Sequence, residues 1–172
     1  NKIENIFGDV RDEKNLSKKI KKFKPDIIFH LAAQPLVKDS YLDSKFTFTT
    51  NIIGTLNILE AIKNTKSIKS AVIITSDKCY KNYEKRSGYS ENDELGGKDP
   101  YSASKAAAEN IFDKNKKTIF KKKKKLGLVS VRAGNVIGGG DWSKDRIIPD
   151  FIKSIIHNQK FTLRRPKATR PW

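Results

Sequence analysis

Apolar positions along the chain follow two alternating periods. In "EKNLSKKIKKF" (13–23), Leu16, Ile20 and Phe23 recur at helical spacing on a basic segment, which predicts a helix with one apolar stripe. A longer helical pattern covers 42–64 and carries Phe46, Ile53, Leu56 and Ile62. A third helix starts in "PYSASKAAAENIFDK" (100–114), with Pro100 in its first turn, and a fourth covers 144–159, entered past Pro149. Between them lie short apolar runs that read as buried strands, at 25–34, 69–77 and 126–140. Residues 3–12 read as a strand end with its exit loop, 80–100 as a loop rich in Gly, Asn and Asp, and 160–165 as a short last strand.

Continuous apolar strands separated by helices predict an α/β fold with a parallel sheet covered on both faces. Ligands in such sheets bind beyond the carboxyl ends of the strands. "HLAAQP" (30–35), "TSDKCY" (75–80) and "RAGNVIGGG" (132–140) all fall at those ends.

Three of these stretches hold candidate chemistry. In "TSDKCY" an acid and a base, Asp77 and Lys78, stand side by side where a strand stops. Both reach one ligand only if the chain turns after Ser76, because neighbours on an extended strand face opposite ways. "YSASK" places Tyr101 and Lys105 four apart, on one face of a helix. A tyrosine has a pKa near ~10 and needs a neighbouring cation to work as a base. Taken alone, each feature also has an ordinary reading: charges in a solvated loop, a surface pair, a flexible glycine turn at 138–140, or a helix-capping Asp9 in "GDVRD" (8–12).

Taken together, Ser76, Tyr101 and Lys105 in that order resemble the triad of the short-chain dehydrogenase/reductase family. "VRAGNVIGGGDW" (131–142), "DRIIPD" (145–150), "RPW" (170–172) and "ENDELGGKDPYSASK" (91–105) are similar to its extended branch of nucleotide-sugar 4,6-dehydratases, and with "TSDKCY" to those acting on CDP-glucose. The resemblance runs nearly end to end and weakens in the Lys-rich 113–125. It implies a partial Rossmann-like, doubly wound parallel sheet at 1–135, and the beginning of a nucleotide-sugar-binding region at 136–172.

The resemblance also implies roles. NAD is the cofactor, bound by Asp9, Val10, Leu31, Ala32, Ala33, Asn51, Tyr101 and Lys105. Gly54 permits close packing of the long helix. Ser76, Tyr101 and Lys105 serve oxidation at the sugar C4. Asp77 and Lys78 serve elimination of water across C5 and C6, after which hydride returns to C6. Gln34, Asn135, Arg146 and Arg170, with Arg164 and Arg165 nearby, contact the nucleotide sugar. A homodimer through the helices at 42–64 and 101–115 is implied, with the run Ala106-Ala107-Ala108 as its small-residue seam. Related epimerases and dTDP-glucose dehydratases are the alternatives. The dTDP enzymes carry Asp-Glu where this chain has Asp77-Lys78, and an epimerase has no use for the pair.

A dinucleotide-binding fold of this kind begins with a strand, a G-x-x-G-x-x-G turn and a helix, and none of these is in the sequence. The chain is therefore expected to be an internal piece of the enzyme, inactive by itself.

Composition alters this picture little. The net charge of +17 raises nucleic acid as a partner, but the excess is mostly Lys, with seven Arg, and is dispersed along the chain. No nucleic-acid partner is expected; a basic binding module is the alternative of another class. Apolar runs fall far short of the ~20 residues that span a bilayer, so no membrane partner is expected. No leader opens the chain, and the single Cys79 excludes an intrachain disulfide, which suits a cytoplasmic protein. His30 and His157 read as packing residues, and no metal is expected.

Overall fold

The computed structural model describes residues 3–121 and 125–169. The chain divides between Ala133 and Gly134 into two compact units. In the first, helix α1 (Glu13–Phe23) leads to β1 (Ile27–His30) and then to the short helices α2 (Val37–Leu42) and α3 (Ser44–Phe48). A π turn (Thr49–Ile53) joins α3 to α4 (Gly54–Lys63). Then come β2 (Ser70–Ile74), a 3-10 turn (Asp77–Cys79), α5 (Pro100–Thr118) and β3 (Gly127–Val131). The second unit holds α6 (Ile147–Ile156).

The three strands form a parallel sheet in the order β1-β2-β3, with Phe29 opposite Val72 and Val72 opposite Val129. Alternation decides what is covered. Ala71 and Ile73 of β2 and Leu128 of β3 pack with Ile58, Leu59 and Ile62 of α4 and Phe112 of α5 to make the core. α1 lies on α4 through Leu16 and Ile20, while Phe23, also expected on that stripe, is exposed.

The opposite face departs from the sequence expectation of a sheet covered on both sides. Phe29 (65% exposed), Val129 and Val131 stand open there within this unit. The apolar runs announce two buried faces, but the described helices of the unit supply a cover for one.

Two expected strands do not form. Residues 3–8 and 160–165 are irregular, because an extended segment needs a neighbour to satisfy its backbone and none pairs with them among the described residues. The long helix predicted over 42–64 is broken at Asp43, whose side chain accepts the Phe46 amide and caps α3. From Ser44 to Lys63 the helix is continuous, with the π turn inside it.

Candidate functional site

Three elements converge at the carboxyl end of the sheet: the end of β1, the turn after β2, and the first turns of α5. Ser76 leaves β2 in an extended conformation and its hydroxyl accepts the Lys78 amide at 3.2 Å, capping the 3-10 turn. The Asp77 amide donates to the Ala133 carbonyl at 2.9 Å, which ties this turn to the residue leaving β3. The chain thus turns directly after Ser76, as a shared role for Asp77 and Lys78 requires. The two side chains pair with each other, Lys78 Nζ to Asp77 Oδ2 at 2.9 Å, and Ser76 Oγ donates to Asp77 Oδ1 at 3.1 Å.

The turn packs on α5. That helix begins with a capping box in which Asp99 accepts the Ser102 amide and Ser102 Oγ accepts the Asp99 amide, with Pro100 inside the start. Two termini are thereby fixed, and Tyr101 and Lys105 stand one turn apart, both buried. The Tyr101 amide donates to Ser40 Oγ at 3.2 Å, so α2 also braces the helix start. Burial lowers the Lys105 pKa, while the Glu109 carboxylate acts in the opposite sense.

At the end of β1, Asp9, Val10, Leu31 and Ala32 line one open groove of about 540 Å³, together with His30 and Ile58. Leu31 and Ala32 are exposed and Ala33 is half-buried, so the backbone there is accessible past small side chains. Asp9 does not cap α1: Asp12 does, by accepting the Asn15 amide at 3.1 Å. Asp9 instead holds Arg11, and the side-chain hydrogen bond from Arg11 pulls its pKa down to about 2. Arg11 in turn lies over the Phe46 ring, 4.7 Å from its centre.

Asn51 and Gln34 are linked to each other. The Gln34 amide donates to Asn51 Oδ1 at 2.8 Å, while Asn51 Nδ2 donates to the Gln34 carbonyl and to Ser104 Oγ. The Gln34 side chain donates to Thr47 Oγ1 at 2.7 Å and to the Leu36 carbonyl, so its amide nitrogen is spent inside the protein. His30 meets Thr55 at 3.3 Å, and burial, then the Lys105 charge, pushes its pKa down to about 4.

Asn135 and Arg146 belong to the second unit. Arg146 pairs with Asp141 at 3.4 Å and Arg164 with Asp145 at 3.0 Å. Gly140, at φ 81, takes the left-handed conformation that closes the glycine turn. Arg170 lies outside the described residues.

One feature escaped the sequence reading. Glu109, 2% exposed, pairs with Arg132 at 2.9 Å behind the site. Its signal was available: a carboxylate four residues beyond Lys105 continues the face of α5 that carries Tyr101 and Lys105.

The family described as GDP-mannose 4,6 dehydratase matches residues 1–172. CDP-glucose 4,6-dehydratase of Salmonella typhimurium is 49% identical over 99% of this chain and 48% of its own length. The chain thus spans about half the length of that relative. Among solved structures, UDP-glucose 4-epimerase of Thermus thermophilus, in complex with NAD, is 30% identical with a TM-score of 0.65, over 80% of this chain and 43% of that one. The epimerase Mth375 of Methanothermobacter thermautotrophicus, 24% identical, shares the fold with a TM-score of 0.80 over 91% of this chain and 46% of that one.

Proposed function

We propose, from the premise that this chain belongs to the GDP-mannose 4,6 dehydratase family, that the full-length protein converts CDP-glucose to CDP-4-keto-6-deoxy-glucose and water. The carrying observation is the capped turn that sets Ser76, Asp77 and Lys78 against the helix bearing Tyr101 and Lys105. The CDP-linked hexose follows from the likeness to the Salmonella enzyme.

The residues fit NAD. The groove beside β1 offers exposed backbone next to Ala32, and Gly54 lets the helix come so close to Val10 that a Cβ would meet its Cγ1 at 2.6 Å. Asp9, Val10, Leu31, Ala32 and Ala33 would hold the adenosine side, and Asn51, Tyr101 and Lys105 the nicotinamide side. When bound, NAD supplies the hydride acceptor at the sugar C4 and the donor at C6.

Within this reading each side chain has one task. Tyr101 takes the proton of the C4 hydroxyl, and the Lys105 cation lowers the cost of the phenolate. Ser76 holds that hydroxyl in line. The 4-keto group acidifies the C5 hydrogen; with the pair's shared proton on Asp77, the Lys78 amine takes the C5 hydrogen as a proton and Asp77 gives its own to the C6 hydroxyl that leaves as water, which restores the ammonium and the carboxylate. Their mutual ion pair must open when the sugar enters, since each is the other's partner at rest. Asn135, Arg146 and Arg170 are assigned to the nucleotide sugar. Gln34 is assigned there as the residue that, bonded to Asn51 through its backbone and to Thr47 and Leu36 through its side chain, shapes the site wall where the chain leaves β1. Residues from Asn1 to about Asn135 serve as the cofactor half and the remainder as the start of the substrate half.

The full-length protein is a cytoplasmic homodimer through the long helix and α5, in this reading. Ala106 and Ala108 are buried within the chain, so half-buried Ala107 and exposed Phe46 and Ile53 are the available contacts. Among the described residues no helix is long and apolar enough to cross a membrane.

The test is incubation of the full-length protein with NAD and CDP-, dTDP-, UDP- or GDP-hexose in deuterated water. Loss of water and deuterium at C5 of the CDP sugar is expected by mass spectrometry and NMR. Faster turnover of another nucleotide would overturn the base assignment, and an epimer without loss of water would overturn the reaction.

A further inference from the structure

Tyr101, Lys105 and Glu109 lie four residues apart along α5, and all three are buried. The first two face the proposed chemistry. Glu109 lies deeper, and four groups converge on it or on its partner. Its carboxylate accepts from Thr75 Oγ1, from Ser130 Oγ at 3.2 Å and from Arg132 Nη2 at 2.9 Å. The guanidinium then reaches outward: Nη1 donates to the Glu91 carbonyl at 3.1 Å, and the group lies 4.9 Å from the centre of the Tyr80 ring. Burial opposes the charge on Arg132, but the hydrogen bond to Glu109 and the neighbouring Tyr80 side chain outweigh it and raise its pKa.

These contacts bracket the turn. Thr75 is the residue before Ser76, and Tyr80 is the residue after Cys79. Between them the turn is held by backbone bonds at Asp77, Cys79 and Gly96. Tyr101 and Lys105, by contrast, have their own supports in the capping box, Ser40 and the Asn51–Ser104 bond.

We propose that Glu109 and Arg132 are a positioning pair that sets the Ser76–Asp77–Lys78 turn at a fixed reach from α5, and that the elimination step depends on it more than the oxidation at C4. The step-specific part rests on the function proposed above. The geometric part does not, since it concerns how this chain holds its own turn. A buried ion pair that merely adds stability would weaken both steps in proportion to the folded fraction.

The experiment uses the full-length protein. Replacing both partners, Glu109→Leu with Arg132→Met, avoids leaving one charge buried alone. Thr75→Val removes the turn-side arm, together with a longer contact of the same hydroxyl to the Val131 carbonyl at 3.3 Å, at nearly constant volume. Both variants are expected to expose the Asp77 and Cys79 amides to faster hydrogen exchange, with the Val72 and Ile73 amides unchanged. With CDP-glucose, deuterium entry at C5 should fall by about tenfold or more relative to NADH formation in a single turnover, as small displacements of a catalytic group cost. The sugar-nucleotide KM should change by less than about threefold, since the groups displaced act on the reaction and not on the nucleotide. Unchanged amide exchange in Thr75→Val, or an equal fall of both steps in either variant, overturns the pair as a positioning device. A parent protein inert toward CDP-glucose sinks the reaction assigned above, while the amide exchange still decides the clamp.

Discussion

Gly54→Ala isolates the contact that brings the long helix against the 9–11 loop. Gly54 sits at φ −57, ψ −43, an ordinary helical conformation, so alanine meets no backbone objection. By propensity alone the change stabilises a helix by about 1 kcal/mol. The new Cβ, however, would lie 2.6 Å from Val10 Cγ1 and 3.2 Å from Cγ2. Carbon atoms prefer about 3.5–4.0 Å, so Val10 must retreat by roughly 1 Å. Overpacking of this kind costs about 1–3 kcal/mol. The net expectation is a destabilisation of about 1 kcal/mol, rising toward about 2 where the loop cannot yield. Asn57 resists the retreat, because its Nδ2 donates to the Val10 carbonyl at 3.0 Å. Urea denaturation of the full-length protein reads the change as a lower midpoint at constant slope. Val10→Ala removes both clashing methyls, so the double variant should recover at least about 1 kcal/mol relative to additivity. NAD affinity should fall in Gly54→Ala, since Val10 and Asp9 line the same groove. A Gly54→Ala protein as stable as its parent, with no coupling to Val10, would refute the close-approach argument.

Further outcomes follow from the buried groups. His30 has its pKa pushed down to about 4 by burial, against 6.5 in an unfolded chain, so the unfolded state binds the extra proton between those values. Stability should be complete above pH 6.5 and fall by up to about 3 kcal/mol as the pH drops toward 4. Midpoints across that window should flatten in His30→Gln; an unchanged slope there assigns the loss to other groups. The carboxylates of Asp9, Asp12 and Asp93 are held low by hydrogen bonds and release their share only further down. Cys79, fully buried and pushed up to about 12, should resist a thiol reagent in the native protein and react on unfolding; prompt labelling would contradict the burial. In the full-length protein Lys78→Ala should still form NADH in a single turnover while losing deuterium exchange at C5, and Tyr101→Phe should lose both. Near-normal exchange in Lys78→Ala returns the turn to an ordinary solvated loop.

The elements best legible in the sequence were those whose signals are local. Pro100 announces α5, and the apolar run of β2 announces a strand whether or not its far face is covered. The turn after Ser76 was legible as a requirement, from the adjacency of Asp77 and Lys78. Pairing partners were not: "KFTLRR" has the composition of a strand and no described neighbour to hold it. The division of labour between side chain and backbone was equally hidden. Gln34 looks available for a ligand until Thr47 and Leu36 are seen to occupy its amide. Glu109 met the opposite fate, since nothing in "AAAEN" discloses that Thr75, Ser130 and Arg132 all arrive at one carboxylate from other segments.

Thr47, Asn51 and Thr55 all turn toward the chain leaving β1, bonding respectively to Gln34, to Gln34 again and to His30. Their spacing is four and four. An α-helix of 3.6 residues per turn would carry positions eight apart roughly 80° out of alignment. The π turn at Thr49–Ile53 lies between them and takes up an extra residue, reducing that drift. The helix therefore keeps phase with the strand through an insertion and not through its composition. Substitutions on its outer face leave the phase intact, whereas inserting one further helical residue between Thr47 and Thr55 would rotate everything before it by about 100° relative to everything after. In this stretch chain length is a stricter constraint than residue identity.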